Sequence, residues 1–136
     1  MDIRITVSTA VEKDGKFLLL KRARKETFAG LWEFPSGRVE PEEKLLDAAI
    51  RELKEETGLS GRLEYRGYGE RFTGNDHVVV HYFHTKATGE AEISHEHSAF
   101  QWKTKQEILA MQKVANPSDA DGRIGTDVLG FFRISH

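Results

Sequence analysis

Ile3, Ile5, Val7, Thr9 and Val11 alternate with smaller or polar residues along MDIRITVSTAVE, the period-two signature of a strand. KDGK follows, and Asp14-Gly15 suits the positive φ angles of a tight hairpin, so KFLLLKR reads as the return strand. RARKETFAGLW is polar and glycine-bearing, hence a loop, and it leads into EFPSG, where Pro35 and Gly37 stop regular structure. Pro41 suits the first turn of a helix that runs to about Thr57, with Gly58 as its left-handed cap. RLEYRGYGERF, HVVVHYFHTK and HSAFQW read as three further strands, separated by the turns TGND and TGEAE. KTKQEILAMQK reads as a short amphipathic helix with Ile108, Leu109 and Met111 on its buried side. SDADGRIGTDVLGFFRI reads as a last helix, weakened by Gly122, Gly125 and Gly130. The order predicts an α/β (α+β) fold, a mixed sheet with helices on both faces.

The central helix carries an unusual charge pattern. On a helical wheel Leu46, Ala49, Ile50 and Leu53 share one side, which is expected to face the core. Glu52, Glu55 and Glu56 fall within an arc of about 100° beside that stripe. Ala48, one turn earlier, leaves room in front of them. Like charges at this spacing repel, and they stand near the helix C-terminus, where the dipole disfavours anions. Divalent oxygen-seeking cations resolve the conflict, since Mg²⁺ and Mn²⁺ bridge carboxylates to phosphate oxygens. Arg51 reaches Glu55 at i+4 and braces it. A solvated charged face is the alternative for an isolated run of this kind.

Composition narrows the classes. The 136 residues fit one domain, residues 1–136, of ordinary apolar and charged content. With 20 basic and 22 acidic side chains the net charge is −2, which gives no footprint for long nucleic acid or an anionic membrane. Cysteine is absent, which closes disulfide and thiolate-metal readings. The N-terminus lacks the continuous apolar block of a signal peptide and no aliphatic run spans a bilayer, so the expected location is cytoplasmic.

Spacing overturns the bland reading of the charge. GRVEPEEKLLDAAIRELKEETGL fixes nine positions: Gly37, Glu43, Arg51, Glu52, Leu53, Glu55, Glu56, Gly58 and Leu59. A chance match in a chain of this length is on the order of one in ten million. This segment, residues 37–59, resembles the signature of the Nudix hydrolases, and FAGLWEFPSG before it resembles the approach to that box in MutT-like members. Ser36 departs from the glycine that many MutT-like members carry there. The resemblance implies an α/β/α sandwich that hydrolyses a nucleoside diphosphate linked to another moiety. It also implies Mg²⁺ or Mn²⁺ held by Glu52, Glu55 and Glu56, with the Gly37 carbonyl, and Arg51 within the catalytic group.

Outside the box, Arg22 resembles a position that contacts nucleotide in MutT-like enzymes, with a solvated strand-end cation as the alternative. Trp32 and Phe34 flank the metal loop, as walls of a base pocket or as core. Asn116 in KVANPSD stands roughly where a base-reading asparagine is found, although an Asn-Pro turn explains it equally. Glu96 in SHEHSAFQW falls where many Nudix enzymes carry a further loop glutamate, a metal ligand or general base. His95 and His97 beside it are expected to assist or to be exposed polar residues. His77 and His81 share one strand face and His84 takes the other, which argues against zinc.

The subfamily markers for ADP-ribose and dinucleoside polyphosphates are missing: Gly74 and Asn75-Asp76-His77 occupy their places. With LWEFPSG, this tilts the expected small-molecule substrate toward a (d)NTP, cleaved to the monophosphate and pyrophosphate. A nucleotide sugar or dinucleoside polyphosphate is the alternative, as is a non-catalytic nucleotide-binding module, although such modules typically lose box glutamates. The chain is expected to act as a monomer or homodimer.

Overall fold

The computed structural model describes residues 2–23, 32–108 and 110. Most of the first polar loop, Leu109, Met111, Asn116 and the expected last helix lie outside them. In chain order the elements are β1 (Asp2–Lys13), β2 (Lys16–Arg22), β3 (Trp32–Glu33), β4 (Ser36–Arg38), α1 (Leu45–Thr57), β5 (Glu64–Thr73), β6 (Asp76–Lys86) and β7 (His97–Lys103). The hairpin between β1 and β2 turns on Asp14 and Gly15, with φ of 53° and 76°. Both central residues are thus left-handed, as a type I′ turn requires.

The seven strands form one mixed sheet, with the order β3-β2-β1-β6-β5. β1 runs parallel to β6 along its whole length, from Asp2↔Asp76 to Glu12↔Lys86. Its other edge is divided. Glu12 and Lys13 pair with β2 at the hairpin end, and Thr6, Val7 and Ser8 pair with β4. β2 divides in the same way: Leu20 and Lys21 pair with β3, while its far edge carries β7. β1 and β2 therefore part after the hairpin, and the bend at Phe34-Pro35 fills the opening. Thr9 N–H donates to the Pro35 carbonyl at 2.9 Å and pins that bend to β1.

Alternation along the strands builds two apolar layers. Val11, Leu18 and Leu20 pack with Leu53 and Leu59, and Val7 and Phe83 with Ala48 and Ala49, on the face that α1 covers. Ala10, Phe17, Leu19, Phe34 and Tyr82 form the opposite layer with Ile108. Residues 105–108 are helical. Thr104 starts them with a reciprocal capping box: Thr104 N–H donates to Glu107 Oε1 at 2.9 Å and Glu107 N–H to Thr104 Oγ1 at 3.2 Å. Helical structure thus lies on both faces of the sheet.

Three local expectations change. EFPSG is not irregular throughout, because β3 and β4 flank Pro35. The helix starts at Leu45, not at Pro41. Pro41 and Glu42 form a tight turn in which Glu43 N–H donates to the Glu40 carbonyl at 3.0 Å and Glu42 takes φ of 65°. That is the pattern of a type II turn, which uses the fixed φ of proline at its second position. Leu46 and Ile50 do not face the core either, being 45% and 43% exposed. The buried side of α1 is Ala48, Ala49, Leu53, Glu56 and Thr57. The helix is rotated toward its glutamates by roughly 45° relative to the apolar stripe. Two alanines let it approach the sheet closely enough to bury a carboxylate.

Candidate active site

Glu56 lies deepest in the cluster, at 4% exposed. Its Oε1 accepts the Ser36 N–H at 2.8 Å, so β4 holds the carboxylate by backbone alone. This explains why serine serves in place of glycine there. Burial, and next the charge of Glu33, push the Glu56 carboxyl up to about 9, against the pull of Ser36 N–H. Glu52 and Glu96 add to the same repulsion.

Glu52 stands against Gly37 of β4. A Cβ at position 37 would overlap the Glu52 carboxylate, so glycine leaves the space that the acid occupies. Burial raises the Glu52 pKa, Arg51 opposes it, and the charges of Glu55 and Glu96 raise it further. Glu55 is the outer member, with its side chain 60% exposed, and Arg51 reaches it at 3.5 Å.

Arg51 does reach Glu55, but its short contacts lie elsewhere. Its Nε and Nη2 donate to the two oxygens of Glu43 at 2.8 and 2.9 Å, and Nη1 donates to Glu52 Oε1 at 2.7 Å. Nη2 also donates to the Arg38 carbonyl at 3.0 Å. The guanidinium is a bracket that joins the turn before α1, the end of β4 and Glu52. The hydrogen bond from Arg51 holds the Glu43 carboxyl down at about 2. Glu43 holds the Arg51 guanidinium well above its ordinary range.

Glu96 enters from the loop before β7. Ala23 N–H donates to its carbonyl at 2.8 Å and Glu96 N–H donates to Ser94 Oγ at 3.3 Å. Glu92 and Ser94 donate to the carbonyls of Thr57 and Glu56 at the end of α1. The loop is tied to both neighbours of the cluster, and the charge of Glu96 is felt by Glu52 and Glu56.

Glu33 is not foreseen from the sequence, whereas His97 is expected there either to assist or to be exposed. Glu33 of β3 accepts from Arg22 Nη1 at 3.0 Å and shares a hydrogen bond with His97 Nε2 at 2.8 Å, both at the same oxygen. His97 is not an exposed polar residue, since its side chain is 0% exposed. Among the described residues one group of three side chains, Glu33, Glu56 and His97, brings potential ligand atoms within 4.8 Å of one another. Of the box carboxylates, Glu56 belongs to this group. A signal for Glu33 is present in WEFP, where a lone acid interrupts an apolar run.

The remaining candidates are placed as follows. The Phe34 ring lies in the core, edge-on to Phe17 at 6.4 Å. Trp32 is half-buried, with Lys21 Nζ 5.9 Å from its ring centroid. His95 is exposed. His77, His81 and His84 engage Glu70, Tyr65 and Glu12 respectively.

The donor set tests the metal expectation on chemical grounds. Glu52, Glu55, Glu56 and Glu96 offer hard oxygen ligands, and among the described residues Arg51 contacts Glu52 and Glu55, which leaves an excess of negative charge that suits a hard divalent ion. Buried carboxylates without a cation must carry protons or repel.

The NUDIX domain family model matches residues 2–121. A CTP pyrophosphohydrolase of Escherichia coli K12 is 36% identical over 104 residues, covering 76% of this chain and 77% of that protein. The phosphatase NudJ of the same strain is 43% identical over 63 residues, which cover 45% of this chain and 39% of NudJ. Among solved structures, a MutT protein from Methanosarcina mazei Go1 superposes with a TM-score of 0.80 at 26% identity, covering 97% of this chain and 91% of that one. The match spans the box, the preceding loop and the sheet that carries them, so the chain belongs to the Nudix family and is a MutT-like pyrophosphohydrolase.

Proposed function

We propose that this chain hydrolyses a nucleoside triphosphate to the monophosphate and pyrophosphate, in a reaction that depends on Mg²⁺ or Mn²⁺. The observation that carries the reading is the buried Glu56 carboxylate, held by the Ser36 N–H at 2.8 Å and set among the charges of Glu33, Glu52 and Glu96. A fold optimised for stability alone would not bury that acid beside three others.

Glu52, Glu55 and Glu56, with the Gly37 carbonyl, hold the cation. When bound, it supplies charge neutralisation of the phosphate oxygens and a lowered pKa for an attacking water. Arg51 fixes the Glu52 carboxylate, so the cluster is organised before substrate arrives. Glu96, carried by a loop tied to β2 and α1, serves as a further ligand or takes the proton from the attacking water. Arg22, at the end of β2, contacts the nucleotide. Phe34 supports the pocket from the core, and Asn116, outside the described residues, reads the base.

The likeness to a CTP pyrophosphohydrolase supports a triphosphate substrate and puts CTP first among those to test. The protein acts as a single cytoplasmic domain, monomer or homodimer. Among the described residues no helix is long and apolar enough to cross a membrane.

The test is pyrophosphate release with and without Mg²⁺ across the common ribo- and deoxyribonucleoside triphosphates, nucleotide sugars and dinucleoside polyphosphates. Metal-dependent release from a triphosphate, with the monophosphate as co-product, is expected. A hundredfold preference in kcat/KM for a nucleotide sugar or dinucleoside polyphosphate would move the substrate class. Nucleotide binding without turnover of any compound would move the reading to a binding module.

A further inference from the structure

Arg22, Glu33 and His97 lie side by side on three neighbouring strands. Leu20 of β2 pairs with Glu33 of β3 on one edge, and Arg22 pairs with His97 of β7 on the other. The pairing between β2 and β7 slips at Lys21/Arg22: Lys21 faces Ala99, and Arg22 then faces His97 with Ser98 left over. In an unbroken ladder Ser98 would face Arg22. The extra residue re-aims the strand and puts the imidazole beside Arg22.

The three side chains converge on one atom. Glu33 Oε2 accepts Arg22 Nη1 at 3.0 Å and shares a hydrogen bond with His97 Nε2 at 2.8 Å. Arg22 can only donate, so Glu33 Oε2 accepts there, and the His97 ring meets the same oxygen at Nε2. His97 is wholly buried and, among the described residues, its Nδ1 has no partner. An orphaned ring nitrogen is a cost that a leucine or phenylalanine in the same space would avoid. The histidine is therefore retained for its Nε2, which ends on Glu33.

We propose that Glu33 and His97 are positioning residues for Arg22: the buried imidazole fixes the Glu33 carboxylate, and Glu33 fixes the guanidinium toward the nucleotide. This rests on the reading of Arg22 as a nucleotide contact. A flexible arginine loses rotamer freedom when it binds an oxyanion, and a bracket that fixes it beforehand removes that loss from the binding step. Glu33 also stands next to Glu56, so the same bracket keeps the cation-binding and nucleotide-binding groups in one frame.

The test uses steady-state kinetics with whichever common triphosphate the wild type hydrolyses best, with circular dichroism and Tm recorded on each variant. Arg22→Ala is expected to raise KM by about tenfold with a smaller change in kcat. His97→Leu and Glu33→Gln are expected to reproduce the rise in KM, and His97→Gln, whose amide nitrogen can occupy the place of Nε2, to restore it. In the Arg22→Ala background His97→Leu is expected to add nothing further to KM, because the bracket has nothing left to hold. Equal effects of His97→Leu with and without Arg22 overturn the proposal, as does an unchanged KM in both His97→Leu and Glu33→Gln when Arg22→Ala raises it. If His97→Leu fails to fold, Glu33→Gln and its cycle with Arg22→Ala decide the matter by the same criteria. An unchanged KM in Arg22→Ala overturns the nucleotide-contact reading and the bracket with it. A wild type that hydrolyses no triphosphate overturns the functional reading before any variant is compared.

Discussion

Arg51 donates to both oxygens of Glu43, at 2.8 and 2.9 Å, while its remaining Nη1 holds Glu52 at 2.7 Å. One guanidinium thus ties the turn that precedes α1 to Glu52. Lysine cannot repeat this planar, three-way arrangement. Arg51→Lys is expected to lower kcat by about tenfold through a displaced Glu52, and to lower Tm by a few degrees. Paired kinetics and thermal melts check this. Unchanged kcat with a lowered Tm would make the bracket purely structural.

Glu56 gives the pH dependence its sign. Its folded-state carboxyl lies at about 9, above the ordinary value of 4.5. The folded state therefore binds the proton more tightly than the unfolded chain. This contribution to stability is complete below about pH 4.5 and is lost as pH rises through 9. In EDTA, Tm is expected to fall between pH 6 and 9, and Glu56→Gln to flatten that fall. A wild-type Tm that rises over this window in EDTA would contradict the buried-acid account.

Divalent metal is expected to reverse the same loss. Mg²⁺ or Mn²⁺ at millimolar concentration raises Tm by binding the folded state alone, and more at pH 8 than at pH 6, because the ion competes with the proton on Glu56. Thermal shift at both pH values measures it. Absence of any shift with nucleotide also present would count against the cation site.

Glu55 separates catalysis from folding. It is the exposed member of the three, so Glu55→Gln removes charge and little packing. Fold and Tm are expected to hold, and kcat to fall by about a hundredfold, the scale of losing one electrostatic stabiliser. A folded variant with most of its kcat would remove Glu55 from the chemistry.

Gly37 is tested by the smallest possible addition. Its backbone is not left-handed, so Gly37→Ala acts only through the methyl that collides with the Glu52 carboxylate. The variant is expected to keep the fold, to lose at least about tenfold in kcat and to show a reduced thermal shift with metal. Wild-type kinetics would show that the carboxylate moves aside without consequence.

The sequence is most readable where one physical rule acts alone. The strand periodicity of β1, β2 and β6, the Asp14-Gly15 turn and the Gly58 cap each follow from local preference, and all stand in the structure. The face of α1 is not readable in this way. Apolar periodicity points Leu46 and Ile50 inward, whereas burial of Glu56 turns them out. A hydrophobicity pattern assumes that acids avoid the core, and here the acid has the stronger claim on it. Pro41 misleads for a related reason, since a turn and a helix start both use its fixed φ. Glu33 and His97 lie far apart in the chain, and only the slipped pairing of β7 against β2 makes them neighbours.

The parallel pairing of β1 with β6 sets when the cluster can exist. β4 and α1 dock on β1, while β1 is held on its other edge by a strand that ends at Lys86, and the Glu96 loop lies beyond that. Such non-local contacts form late, because closing the chain between them costs entropy before any contact is gained. During synthesis the ribosome has therefore released the whole box well before its acids can be assembled. The box therefore precedes, in order of synthesis, both the strand that holds β1 and the loop that carries Glu96, and the complete cluster is expected only once both have followed.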